Sequence, residues 1–164
     1  MAIIDLATKL GANIAPSVHG TRFPVHYAEN VIDLAVAAAA KGSALAASDV
    51  IEAVDVPAQS IILAAGIEVI SAQVGATVMT LDLGVTGIDV DAYVDGFDYI
   101  TAVAGDYAQQ PAAYQPIVIG NTADTVDVLL ATVTGTATGG KIRVWVLYGD
   151  VKDTRNPGLA LRKS

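Results

Sequence analysis

The chain has 164 residues, of which 53% are hydrophobic and only 16% are charged, and it contains no cysteine. This length suits one domain with a single core, so a second independent domain is not expected. The net charge of −8 at pH 7 argues against a nucleic-acid partner, because phosphate binding needs clustered Lys and Arg. The absence of cysteine excludes disulfides and thiolate metal sites.

The mean hydropathy of +0.52 is high for a chain that stays alone in water. A membrane could take up this apolar excess, but a spanning helix needs about 20 mostly apolar residues. The best uncharged apolar runs, 56–67 and 69–81, are shorter and contain Pro57 and Gly75. We therefore expect contact with other protein subunits and no membrane partner. The N-terminus has neither a basic region nor a long apolar stretch after it, so no signal peptide is predicted.

Residues 1–20 are predicted to form an N-terminal arm. Its large apolar residues are Ile3, Ile4, Leu6 and Leu10. They fit a short amphipathic turn of helix that ends at Gly11. One interpretation is a frayed terminus, and the other is an arm whose apolar residues contact a neighbouring subunit. The residues leave both open.

The rest of the chain alternates short apolar runs with glycine and proline. In chain order, strands are predicted at 22–37 (one or two), 49–55, 60–71, 77–84, 91–94, 116–119, 124–133 and 141–149. Residues 37–47 are predicted to be a loop with a helical turn, and 98–114 a long irregular loop. Asp95-Gly96 predicts a tight turn, and a Thr/Gly-rich turn that ends in Gly139-Gly140 is expected to join the last two strands. This pattern is typical of an all-β sandwich or barrel over residues 21–152, with a C-terminal tail at 153–164.

The last two predicted strands carry apolar residues on both faces. One face is assigned to the core, and the other should be polar if it meets water. The second face instead carries Leu129, Val133, Trp145 and Leu147. We interpret these four residues as a buried patch and, as a hypothesis, as the oligomer interface. The alternative is that the N-terminal arm or the long loop of the same chain covers them.

Metal and phosphate signatures are weak. Asp89-Val90-Asp91 followed by Asp95-Gly96 resembles part of a calcium loop, but the third carboxylate comes two residues late. Ile100 stands where such a loop needs its terminal Glu. Gly84-Val85-Thr86-Gly87 is better interpreted as a turn than as a phosphate-binding loop. No metal and no cofactor are predicted.

Catalytic signatures are equally weak. Four carboxylates that could pair for glycoside hydrolysis are Glu52, Asp55, Glu68 and Asp82. Their spacing does not show which of them face each other. His19 and His26 are the only imidazoles, and the chain has no G-x-S-x-G motif to support a Ser-His-Asp arrangement. No catalytic residue is predicted.

Several runs between Asp49 and Asp150 carry a family resemblance. They are DVIE at 49–52 with VPA at 56–58, LAAGIEV at 63–69, LDLG at 81–84 with DVDAYV at 89–94, and IRVWV at 142–146. Over about two thirds of the chain, these runs make it resemble the small capsid decoration, or cement-like, virion proteins of marine tailed bacteriophages, notably those that infect cyanobacteria. Residues 1–20 and 153–164 lie outside the resemblance.

The resemblance implies a jelly-roll-like antiparallel β-sandwich that decorates or cements the exterior of a capsid. It implies a non-enzymatic virion protein, made in the host cytoplasm, which forms a homotrimer and contacts the major capsid protein. One alternative is a head-fibre or tail component. Another is a carbohydrate-binding jelly roll whose stacking residues would be Tyr93, Tyr99, Tyr107 and Tyr114. Those tyrosines could equally fill a trimer interface, and an enzyme is the remaining alternative.

Overall fold

The structure is a computed structural model that describes residues 3–8, 25–108 and 115–151. In the described residues the strands are β1 (Ile3–Thr8), β2 (Val25–Asp33), β3 (Val50–Val56), β4 (Ser60–Val85), β5 (Asp89–Asp98), β6 (Ile117–Val118) and β7 (Asp124–Asp150). The one helix of the described residues, α1 (Leu34–Lys41), follows β2. The strands are rich in Val, Ile and Thr, which fit a pleated, half-buried surface. The prediction of an all-β fold is confirmed.

The fold is organised by a long ribbon made of β4 and β7, which have 26 and 27 residues. The two strands are antiparallel, from Ser60 opposite Asp150 at one end to Gly84 opposite Asp127 at the other. The pairing shifts register repeatedly between residues 69 and 81 of β4. Gly75 in this stretch has a φ of 96°. Register shifts and left-handed glycines are the features of β-bulges, which bend strands and increase their twist.

The bends divide the ribbon between two layers. The β2 layer contains β2, β6, residues 60–71 of β4 and residues 141–150 of β7. The β3 layer contains β1, β3, β5, residues 76–85 of β4 and residues 124–135 of β7. Apolar side chains of both layers form one core cluster, which includes fully buried Ile32, Ile51, Ile67, Leu83, Val128 and Val144.

Hydrogen bonds also join the two layers. Asn30 of β2 donates its Nδ2 to the carbonyl of Ala53 in β3 at 2.9 Å. The Ile117 amide of β6 donates to the hydroxyl of Tyr93 in β5 at 3.3 Å. The sheet is thus folded on itself as a jelly-roll-like β-sandwich.

Helix α1 covers one end of the sandwich. Asp33 caps its start, because the carboxylate accepts the Ala35 amide at 2.9 Å. Gly42 ends it with a φ of 76° and donates its N–H to the carbonyl of Ala38 at 3.0 Å. The predicted strand at 22–37 therefore stops at Asp33, and the alanine run that follows is helical, as its high helix propensity favours.

The helical turn predicted within the arm is wrong for residues 3–8. These residues form β1, which runs parallel to β3 with Ile3 opposite Val50 and Ile4 opposite Ile51. A short apolar run is compatible with both helix and strand. Here pairing with β3 selects the strand. Leu10, Gly11 and the rest of the arm lie outside the described residues. That Ile3, Ile4, Leu6 and Leu10 contact a neighbouring subunit stays a prediction.

The predicted strands at 60–71 and 77–84 are parts of the single strand β4, and those at 124–133 and 141–149 are parts of β7. The expected turn at Gly139-Gly140 does not reverse the chain, since Gly139 pairs with Val74 inside the ribbon. The expected turn at Asp95-Gly96 is also wrong. Those residues lie within β5, near a register shift, and Gly96 has a φ of 65°. Glycine with positive φ serves a bulge as well as a turn, so sequence alone does not separate the two.

Candidate interaction surface

The β2 layer presents three strands side by side on its outer face. The side chains that share this face are Val25, Tyr27, Glu29 and Val31 of β2, Arg143, Trp145 and Leu147 of β7, and Ala64, Gly66 and Glu68 of β4. They are placed together by register, because directly opposite residues of antiparallel strands point to the same side. Glu29, for example, lies opposite Trp145, which lies opposite Gly66. We call this set the outer face of the β2 layer.

Exposed apolar groups are concentrated along β2. Tyr27 is 59% exposed, Val25 is 50% exposed and Val31 is 47% exposed. Trp145 and Leu147 beside them are half-buried. Five apolar side chains on two adjacent strands form a larger patch than isolated exposed residues would, and patches of this kind mark contacts with other molecules.

Trp145 is held in place by the glycine opposite it. The indole lies against Gly66 so closely that a Cβ on that residue would be 2.6 Å from its Cζ2 atom. Gly66 itself is buried. The absence of a side chain at position 66 therefore lets a large aromatic ring rest on the β4 backbone while part of it remains exposed.

The charges on this face are already paired with one another. Arg143 donates from Nη1 to Glu68 at 2.8 Å, and its Nε lies 3.7 Å from a Glu29 oxygen. The same Glu29 oxygen accepts the Tyr27 hydroxyl at 2.6 Å. This hydrogen bond is the main reason that the pKa of Tyr27 rises to about 12. Exposed ion pairs add little stability, but they fix the side chains and leave fewer charges to desolvate in a contact.

The structure separates the four residues predicted as the oligomer interface. Trp145 and Leu147 lie on the outer face of the β2 layer. Leu129 and Val133 belong to the β3 layer, where Leu129 lies opposite Asp82 and Val133 opposite Met79. The prediction treated the two segments as neighbouring strands of one hairpin, but they are two parts of β7 that lie in different layers. The prediction that the four residues share one patch is therefore wrong. The role of each residue in an interface stays a prediction.

Sequence reasoning missed the contribution of β2 to this surface. In the segment predicted as strand at 22–37, Ile32 and Leu34 are buried. The exposed side chains are instead those of Val25, Tyr27 and Val31. All three have odd residue numbers, and alternate residues of a strand point to the same face, opposite to that of Ile32. The sequence therefore contained an apolar period-two pattern that could have identified this face.

The β3 layer carries two buried carboxylates. Asp127 accepts the Thr86 amide at 3.1 Å and the Thr125 hydroxyl at 2.5 Å. Asp82 accepts the Gly96 amide at 2.7 Å. Burial raises the pKa of both carboxyl groups. The amide donors, Thr86 and Gly96, lie in the β4–β5 turn and in the bulge of β5, so these acids hold local backbone in place.

The four carboxylates proposed for glycosidase chemistry are not brought together. Glu52 and Asp55 line an open groove of about 450 Å³ at the end of β3. Glu68 pairs with Arg143 on the outer face of the β2 layer, and Asp82 is buried in the β3 layer. Glu52 and Asp55 therefore share one groove, whereas Glu68 and Asp82 lie elsewhere, so the four carboxylates do not form a single site.

The described residues contain no group of three or more His, Cys, Asp or Glu that could hold a metal ion. In the partial calcium motif, a hydrogen bond with Asp91 raises the pKa of Asp89. His26 packs its ring 5.2 Å from that of Tyr148, and His19 lies outside the described residues. The described part of the chain holds no helix that is long and apolar enough to span a membrane.

The tyrosines considered as a sugar-stacking platform are dispersed. Tyr93 and Tyr99 are fully buried, and Tyr99 donates its hydroxyl to the carbonyl of Ser71 at 2.7 Å. Tyr107 is exposed, and Tyr114 lies outside the described residues. Two of the four rings are therefore core residues and are available neither to a sugar nor to a subunit contact.

Comparison with known proteins links the fold to phage capsids. No family model and no curated protein matches the chain. Among solved structures, a chain from the capsid of Ralstonia phage GP4 aligns with a TM-score of 0.59 at 21% identity, over 90% of this chain and 97% of that chain. A chain from the capsid asymmetric unit of cyanophage Pam1 aligns with a TM-score of 0.52 at 18% identity, over 88% of this chain and 97% of that one.

A third solved structure shows the same likeness. A chain from the acid-stable capsid of the Helicobacter pylori bacteriophage KHP30 aligns with a TM-score of 0.50 at 10% identity, over 78% of this chain and 89% of that chain. At these identities the three alignments show that the folds are similar.

Proposed function

We propose that this chain is a non-enzymatic structural protein of a tailed-phage particle, which decorates or cements the outer surface of the capsid as a symmetric oligomer. The observation that carries the proposal is the fold shared with chains of two phage capsids over 97% of their length. The likeness extends over almost the whole of each of those chains and is not confined to one part of them.

The chemistry of the surface supports a binding role. The outer face of the β2 layer combines exposed apolar side chains with charges that are already paired. Asp82 and Asp127 accept local hydrogen bonds, Glu68 pairs with Arg143, and His26 packs against Tyr148. Partners that fit are other copies of the chain, a homotrimer being the state that the family resemblance implies, and the major capsid protein.

Sedimentation with capsids of the phage that encodes the chain tests the proposal. The purified protein should sediment with capsids that lack it, at a fixed number of copies per particle. Trp145→Asp, which places a charge on the outer face of the β2 layer, should reduce that binding. Ile88→Asp is the matched control, since Ile88 is 56% exposed and lies in the β4–β5 turn away from that face.

The location on the particle is tested by gold-labelled antibodies on intact virions. Label over the whole head supports a decoration protein, whereas label confined to the tail or to one vertex contradicts it and supports the tail or head-fibre alternative. A protein that never sediments with capsids contradicts the proposal altogether.

A further inference from the structure

Among the described strands, β2 lies at an edge of the sheet and lacks the bulge, proline and lysine that often protect an edge. Within the described residues it pairs with β7 alone, through nine consecutive pairs from Val25–Gly149 to Asp33–Lys141 without a register shift. Natural edge strands carry bulges, prolines or lysines that prevent pairing with another chain. The sequence of β2, VHYAENVID, contains no proline and no lysine. A long regular strand of this kind is a template for a further strand.

The side chains along this edge are suited to contact with protein. Val25, Tyr27 and Val31 are exposed at alternate positions on one face. The charge between them, Glu29, is held by the Tyr27 hydroxyl at 2.6 Å and lies near Arg143. The edge therefore presents apolar groups and one carboxylate that already has partners.

We propose that β2 pairs with β2 of a second copy in antiparallel orientation about a two-fold axis at Ala28, and so joins the two β2 layers into one continuous sheet. This register places Val25 opposite Val31 of the second copy and Tyr27 opposite Glu29 of the second copy. Moving the axis to Glu29 would oppose two like charges and set Val25 against Asp33, which is destabilising. The register centred on Ala28 is the one in which the strand complements itself.

A second copy fits this edge better than an unrelated partner because the surface next to it is also complementary. Across the axis, Trp145 and Glu29 of one copy would lie in the same row as Tyr27 and Leu147 of the other. The exposed apolar groups of the two copies would then form one patch. A two-fold contact joins two chains and does not build the homotrimer of the family resemblance, so the inference goes beyond the proposed function, and it does not depend on which capsid the protein binds.

Cysteine cross-linking of the full chain tests the register. The chain has no native cysteine, so each disulfide reports only on introduced residues. Opposite residues of antiparallel strands have Cα atoms about 4.5–5.5 Å apart, within the range of a disulfide. An oxidised mixture of Val25→Cys and Val31→Cys chains should form a covalent dimer, whereas Val25→Cys alone should not. Equal cross-linking of Val25→Cys alone, or none in the mixture, would overturn the proposed register.

Charge exchange provides a second test by light scattering. Val25→Glu and Val31→Lys should each raise the dimer dissociation constant at least tenfold, and Ile88→Lys should change it less than twofold. Mixing the first two variants should restore association, because the new Glu and Lys face each other across the axis. No rescue, or a trimer unaffected by either variant, contradicts the pairing.

The remaining occupant of the edge is a segment of the same chain. In that case the wild-type protein would have the mass of a single chain and its β2 amides would still be protected from hydrogen exchange. This result would overturn the inference. It would also contradict the symmetric oligomer of the proposed function, but the role on the capsid would stand or fall separately, because capsid sedimentation measures it independently.

Discussion

Replacing Gly66 with alanine tests how Trp145 is held on the outer face of the β2 layer. The added Cβ would lie 2.6 Å from the indole Cζ2 and 2.8 Å from Cε2, whereas non-bonded carbons prefer about 3.5–4.0 Å. The ring must therefore move by about 1 Å. Overpacking of this kind costs about 1–3 kcal/mol. A harmless glycine-to-alanine change stabilises by about 0.4–1 kcal/mol through the unfolded state.

The net expectation is that Gly66→Ala lowers the free energy of unfolding by about 1 kcal/mol, as measured by urea denaturation. In a Trp145→Ala background the clash is gone, and the same substitution should instead raise the free energy of unfolding by about 0.4–1 kcal/mol. Gly120→Ala is the matched control, since no heavy atom lies within 4 Å of its added Cβ. If Gly66→Ala and Gly120→Ala have equal effects, the indole does not rest on the β4 backbone.

Three further predictions follow from buried or paired groups. Burial raises the folded-state pKa of Asp82, so the free energy of unfolding should fall as pH rises through that pKa. Asp82→Asn should therefore be more stable than the wild type at pH 7, as measured by urea titration. The difference should vanish in acid below the unfolded-state pKa. Lys41→Met removes the cation beside Asp49, whose side chain is 4% exposed, and should lower the free energy of unfolding by about 3 kcal/mol. Adding Asp49→Asn to this variant should recover most of the loss. If nothing is recovered, the ion-pair explanation is wrong. Leu129→Asp places a new carboxylate opposite Asp82 and should lower the melting temperature by several degrees. Trp145→Asp should chiefly reduce the mass measured by light scattering. If both variants reduce association equally, the two residues have been assigned to the wrong layers.

The local pattern of the sequence identified strands correctly where a short apolar run ends at a true chain reversal. Residues 49–55 were predicted and 50–56 observed, since β3 ends just before Pro57. The pattern failed at Gly75 and Gly135, where positive φ angles belong to bends inside the ribbon. Glycine chemistry is the same for a bulge and for a hairpin turn, and only the partner strand, dozens of residues away, decides which one forms.

The same limit explains the outcome for the candidate surface. Trp145 and Leu147 were identified from the excess of apolar residues on one strand, which is local information. Their neighbours Val25 and Tyr27 precede their partners in β7, Gly149 and Leu147, by more than a hundred residues in the sequence. Their placement beside β7 depends on the topology of the sheet, which alternation of side chains does not reveal.

The shared ribbon also governs how the molecule comes apart. Both layers contain part of β4 and part of β7, so neither layer can detach while those two strands remain intact. Their pairing joins distant parts of the chain, which must come together before either layer gains its contacts, and this favours slow folding. Loss of one layer would remove the partner strands of the other, so the domain should unfold in a single step. A force that pulls on one layer is transmitted to the other through the two continuous backbones of β4 and β7, so the two layers should resist being pulled apart.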